Sequence, residues 1–128
     1  MDILGAYDQL KACLEAQGID VPIQDNLILK PRTLPAVVIE PVASLLLAHG
    51  YGSRFAGEHQ LCVWVIVPVL SGTLREAYAG LIPYVEKVLA TPRFYAVSNS
   101  DSETAVEYGV DLIWGSEVVF AKVVGKVA

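Results

Sequence analysis

Leu61-Cys62-Val63-Trp64-Val65-Ile66-Val67-Pro68-Val69-Leu70 contains no charged, amide or hydroxyl side chain. At a strand's period of two, Leu61, Val63, Val65, Val67 and Val69 point one way, and Cys62, Trp64 and Ile66 the other. A strand with one wet face alternates apolar and polar residues, so this one requires cover on both sides. Elsewhere the chain shows about two helical patterns that could supply it. Either those helices divide between the two faces, or another subunit shields one of them. The second arrangement is the expected one.

After this strand, Ser71-Gly72 marks a turn, and Thr73 with Glu76 has the capping-box spacing that starts a helix. Leu74, Ala77, Tyr78, Leu81, Ile82, Val85 and Leu89 then make one apolar face. Pro83 removes a backbone hydrogen bond within this run, which predicts a kink or two abutting helices, and Pro92 closes the element. Residues 94–97 read as a short strand and 98–102 as an exposed turn. From Ala105 the alternation is regular: Val106, Tyr108, Val110, Leu112 and Trp114 face inward, and Glu107, Gly109, Asp111 and Ile113 outward. Gly115-Ser116 interrupts the pattern, and 117–127 form the last strand, with Lys122 and Lys126 on the face of Phe120.

Before the central strand, residues 49–59 (His-Gly-Tyr-Gly-Ser-Arg-Phe-Ala-Gly-Glu-His) carry three glycines and form a loop or the tip of a long hairpin. Residues 42–48 are apolar and fit either strand or helix. Residues 36–39 are a β-branched strand bracketed by Pro35 and Pro41; proline cannot donate to a ladder, so this strand is short or lies at an edge. Pro22, Asn26 and Pro31 punctuate 19–32, where 27–29 can pair as a short strand. Ile3, Tyr7, Leu10 and Leu14 recur at helical spacing, with Asp2 as N-cap and Gly18 as terminator. The order α-β-β-β-α-β-β-β predicts one α+β domain over residues 1–128. Its sheet is largely antiparallel or mixed, with about five strands and two main helices.

At 128 residues the chain can bury roughly two-thirds of the surface its unfolded form exposes. Only 18% of its residues are charged while 54% are hydrophobic, a balance that suits a protein with much of its exterior inside an assembly. A formal net charge of −5 argues against a nucleic-acid binder, which needs clustered Lys and Arg, but suits a surface that DNA passes without sticking. Cys13 and Cys62 make no disulfide framework and read as small buried apolar residues. The start of the sequence lacks the pattern of a signal peptide, and no apolar run reaches the roughly 18 residues of a membrane span. Synthesis in a reducing cytoplasm is expected.

No pattern predicts catalysis, a cofactor or a metal. His49, His59 and Cys62 are the one close group with metal-ligand atoms, but zinc-site spacings are absent. Gly50, Gly52 and Gly57 surround Ser53 and Arg54, yet the loop lacks a Gly-Lys-Ser/Thr ending and runs into a strand, so it is no phosphate loop. Asp101, Glu103, Glu107, Asp111 and Glu117 form a stretch without Lys or Arg. Glu107 and Asp111 read as the wet side of a strand, with two further options: lining a negative channel, or meeting Lys122 and Lys126 of a neighbour. Tyr51, Arg54 and Phe55 are residue types that anchor interfaces when exposed on a loop, against the alternative that Phe55 tucks into its own core.

Several features together resemble the tail terminator (tail completion) proteins of long-tailed bacteriophages. They are the N-terminal amphipathic helix, the strand Leu34-Pro35-Ala36-Val37-Val38-Ile39-Glu40-Pro41, the glycine-rich hairpin over 50–57 and the long strand from His59. The helix start Leu74-Arg75-Glu76 and the acidic-aromatic strand from Glu107 to Trp114 complete the series. The resemblance covers nearly the whole length and lies in element order. It implies a non-enzymatic virion protein, made in the bacterial cytoplasm, that forms a ring, commonly a hexamer, on the head-proximal end of the tail tube. Such a ring ends tube polymerisation and presents the surface that joins the head. The implied partners are further copies of the chain, the tube protein and a head-tail connector or neck protein. DNA passes the lumen without specific binding, and no membrane is involved.

A closed ring needs a heterologous interface, one patch meeting a different patch. Surplus apolar strand surface can supply one, and a hairpin around Tyr51, Arg54 and Phe55 the other. Three other readings compete: a head-tail connector, a small-ligand-binding domain that dimerises through its sheet, and a small enzyme using His59 with Glu58 or another carboxylate. A ligand-binding domain should show convergent polar groups in a pocket, and the strands offer few inward polar residues.

Overall fold

The computed structural model describes residues 2–24, 34–41, 59–70, 72–96, 106–113 and 115–127. The elements are α1 (Ile3–Ala16), β1 (Ile23–Gln24), β2 (Ala36–Pro41), β3 (His59–Pro68), α2 (Leu74–Leu89), β4 (Phe94–Ala96), β5 (Val106–Ile113) and β6 (Ser116–Val127). This is the α+β order expected from the sequence. The sheet has six strands rather than about five, and it is mixed because β1 pairs parallel with β2. The strand expected at 27–29, the segment 42–48, the turn at 98–102 and Trp114 lie outside the described residues.

Both helices begin where their caps dictate. The Asp2 carboxylate accepts from the Gly5 N–H at 2.7 Å, and the Thr73 hydroxyl oxygen accepts from the Glu76 N–H. Gly18, at φ 83°, ends α1 in the left-handed conformation that glycine adopts without steric cost. α2 is one element rather than the two abutting helices that Pro83 suggested. The carbonyl left without its N–H partner belongs to Ala79, and both residues are exposed, so water can satisfy it.

β6 organises the sheet. One edge pairs antiparallel with β3 from Val118 to Val127, while the other pairs with β5 and, toward its end, with β4. β2 is not an edge strand: β1 covers it at Val37 and Val38. Odd-numbered residues of β3 and β6 (Leu61, Val63, Val65, Val119, Ala121 and Val123) share one core with Ala6, Leu10 and Leu14 of α1 and Ala77, Leu81, Val85 and Val88 of α2. Both helices therefore lie on the same face.

The opposite face does not wait for a subunit along β3, contrary to the expectation. Val38, Ile66 and Val118 form a second core that is fully buried within the single chain, with Leu34, Trp64 and Phe120 packed against it, and Cys62 is buried as well. A strand apolar on both faces needs two covers, and one chain can provide both.

The apolar arc of α2 is wider than the sheet beneath it. Ala77, Leu81 and Val85 are buried as expected, joined by Val88, whereas Leu74, Ile82 and Leu89 stay exposed. Burial selects the part of the arc centred on Leu81, and the remainder points past the sheet.

Candidate functional site

Surplus apolar surface collects on β5. Its register against β6 sets Val106, Tyr108, Val110 and Leu112 opposite Val123, Ala121, Val119 and Glu117, on the helix-bearing side. The inward direction expected for these residues is therefore correct, but burial is not: Tyr108 is 44%, Val110 46% and Leu112 72% exposed. α2 packs over β3 and β6, and Tyr78 reaches β5, its ring meeting Tyr108 edge-on at 6.2 Å. Alternation reports which way a side chain points, not whether anything stands in front of it.

The other side of β5 carries charge. Glu107 and Asp111 are exposed, as expected, and Glu107 lies directly opposite Lys122 in the register. Lys122 faces Trp64 on its other flank, with Nζ 5.3 Å from the indole centroid, and Trp64 packs against Phe120 at 5.2 Å between centroids. Lys122 is thus half-buried between an indole and a carboxylate strand, whereas Lys126, further along β6 on the same face, is exposed beside Tyr95 of β4. Glu107, Asp111, Lys122 and Lys126 lie on one face of the sheet within a single chain, a placement the sequence reading did not anticipate. Tyr51, Arg54 and Phe55 lie outside the described residues.

Sequence reading missed the reason for Gly109. A Cβ there would stand 2.5 Å from the Phe120 ring, which lies across the neighbouring strand on the glycine. Gly125 and Phe94 make a second such pair, at 2.6 Å. Glycine inside a regular strand was the available signal.

His59 and Cys62 cannot share a metal ion, because an odd offset along β3 sends them to opposite faces. Among the described residues no group of three or more His, Cys, Asp or Glu is arranged to hold one. Burial pushes the Cys62 thiol from 9.0 up to about 12, Lys122 opposing the shift and Glu40 and Glu107 adding to it. The thiol therefore stays protonated in the fold where an unfolded chain would ionise. The contribution of this thiol to stability is constant well below pH 9.0, then falls as pH rises toward about 12. Titration with a thiolate-selective reagent at pH 8 to 9 should modify Cys13 in the native protein and reach Cys62 only after unfolding.

A concavity of about 300 Å³ lies between the end of β3 and the first turn of α2, bounded by Val67, Val69, Leu70, Thr73 and Glu76. Thr73 is already used as the cap of α2, and few polar groups converge there. No helix among the described residues is long and apolar enough to cross a membrane. No protein-family model and no curated protein matches the chain.

Proposed function

We propose that this chain is a structural virion protein that forms a ring, with six copies as the expected number, on the end of a phage tail tube. The ring ends tube growth and offers the surface on which a head-tail connector or neck protein docks. One observation carries the reading: α2 holds a wider apolar arc than its own sheet buries, leaving Leu74, Ile82 and Leu89 outside. A ring needs a patch that the protomer does not cover, and this flank supplies it. The resemblance in element order points the same way, and the net charge of −5 with exposed Glu107 and Asp111 suits a bore that DNA crosses without binding.

The second patch is assigned to Tyr51, Arg54 and Phe55. Phe55→Asp combined with Arg54→Glu is expected to abolish capping of purified tail tubes in negative-stain images, while the circular dichroism melt stays that of the parent. Tubes capped normally by the double variant would remove the loop from the interface. A parent protein that neither forms rings nor binds tubes would end the ring reading itself.

A further inference from the structure

The outer edge of β5 presents backbone as well as apolar side chains. The connection to β6 is two residues long, because Ile113 pairs with Ser116. Leu112 and Glu117 then form a pair that exchanges no backbone hydrogen bonds. Two contacts agree: the Glu117 carbonyl accepts from Val69 on the β3 side, and the Leu112 N–H donates to the Asp111 carboxylate at 2.7 Å. By the alternation of an antiparallel ladder, Tyr108, Val110 and Leu112 therefore direct their N–H and C=O groups away from β6. Among the described residues β5 pairs only with β6, so no described strand occupies this edge. The opposite end of the sheet is guarded, since β1 is two residues long and follows Pro22, and β2 ends at Pro41.

We propose that two copies of this chain pair through β5, antiparallel about a two-fold axis through Val110, in the free protein. The self-complementarity of the strand selects both occupant and register. A two-fold perpendicular to the sheet keeps each side chain on its own face, so only registers centred on a residue are allowed. The two longest are centred on Gly109 and on Val110. Centring on Gly109 sets Glu107 of each copy directly against Asp111 of the other, opposing like charges twice. Centring on Val110 sets Asp111 against Gly109, Glu107 against Ile113, Tyr108 against Leu112, and Val110 against itself. That register opposes no carboxylates, joins the exposed apolar stripes and lets the outward N–H and C=O groups satisfy one another. The Leu112 N–H leaves the Asp111 carboxylate for a Tyr108 carbonyl across the axis.

This pairing does not rest on the ring reading. An isologous contact is used up by two copies, so it can join two chains or two rings but cannot build a ring. The test is sedimentation of the parent and of Val110→Lys, which puts two ammonium groups face to face on the axis. Concentration-dependent dimers are expected for the parent, with a dissociation constant raised at least tenfold in the variant. In parallel, the amide protons of Tyr108, Val110 and Leu112 should gain protection from exchange as parent concentration rises. A parent that stays monomeric up to roughly millimolar protein overturns the proposal. So does a Val110→Lys variant that associates like the parent, or edge amides whose exchange ignores concentration; the last readout holds even if the variant folds poorly. Tube-capping rings without a free dimer would overturn the pairing and leave the ring, and a dimer that never caps tubes would do the reverse.

Discussion

Ile66→Asp is expected to unfold the isolated chain rather than merely to prevent its assembly. Ile66 is fully buried in the second core with Val38 and Val118, and pairs across β3 and β6 with Phe120. Aspartate there loses the apolar transfer energy and leaves a carboxylate without a partner, a cost of about 5 kcal/mol or more, comparable with the whole stability of a domain this size. Circular dichroism and one-dimensional proton spectra of the purified variant check it. A folded monomer that has lost only its assembly would show that a neighbouring subunit, not this chain, closes that face. Val110→Lys should leave the fold intact. Both put charge on apolar strand positions, but Val110 is nearly half exposed and Ile66 not at all.

Gly125→Val should be clearly destabilising although it adds no charge and removes no contact. Gly125 is buried in β6 between Leu61 of β3 and Ala96 of β4, and any Cβ there meets the Phe94 ring at 2.6 Å and the Tyr95 carbonyl oxygen at 3.0 Å. Phe94 is itself buried, and a main-chain oxygen cannot step aside without breaking the β4 pairing. Overpacking of this kind costs about 1–3 kcal/mol, and valine belongs at the upper end. That corresponds to a fall in Tm of roughly 10 °C by calorimetry. Gly109→Ala makes the same kind of clash with Phe120, but on an edge strand where the ring is half-buried and can swing outward. Its loss should be the smaller of the two. Equal losses would show that the edge is as constrained as the centre.

Most of the element order was legible because it depends on neighbours along the chain. Capping at Asp2 and Thr73, termination at Gly18 and the period of β5 and β6 are local facts, and each appears where its residues lie. β1 escaped notice because two residues held by a parallel partner leave no periodic trace. The ambiguity at Pro83 was resolved by exposure, since a helix tolerates the missing N–H when the bereft carbonyl faces water.

For the candidate surfaces, charge was easier to read than apolarity. Glu107 and Asp111 could be placed outside from alternation alone, because an unpaired carboxylate is rarely buried. Tyr108, Val110 and Leu112 could not be placed, because an apolar residue on the correct side of a sheet is buried only if another element reaches it.

By itself the sequence determined the α+β class, the helix limits and the direction in which almost every strand residue points, all of which follow from sterics and spacing within a few residues. Tertiary structure alone decided that both helices share one face, that the second face of β3 is sealed within one chain and that Tyr108, Val110 and Leu112 of β5 stay exposed. Burial is a relation between segments far apart in the chain, and no local pattern records how far a helix extends across its sheet.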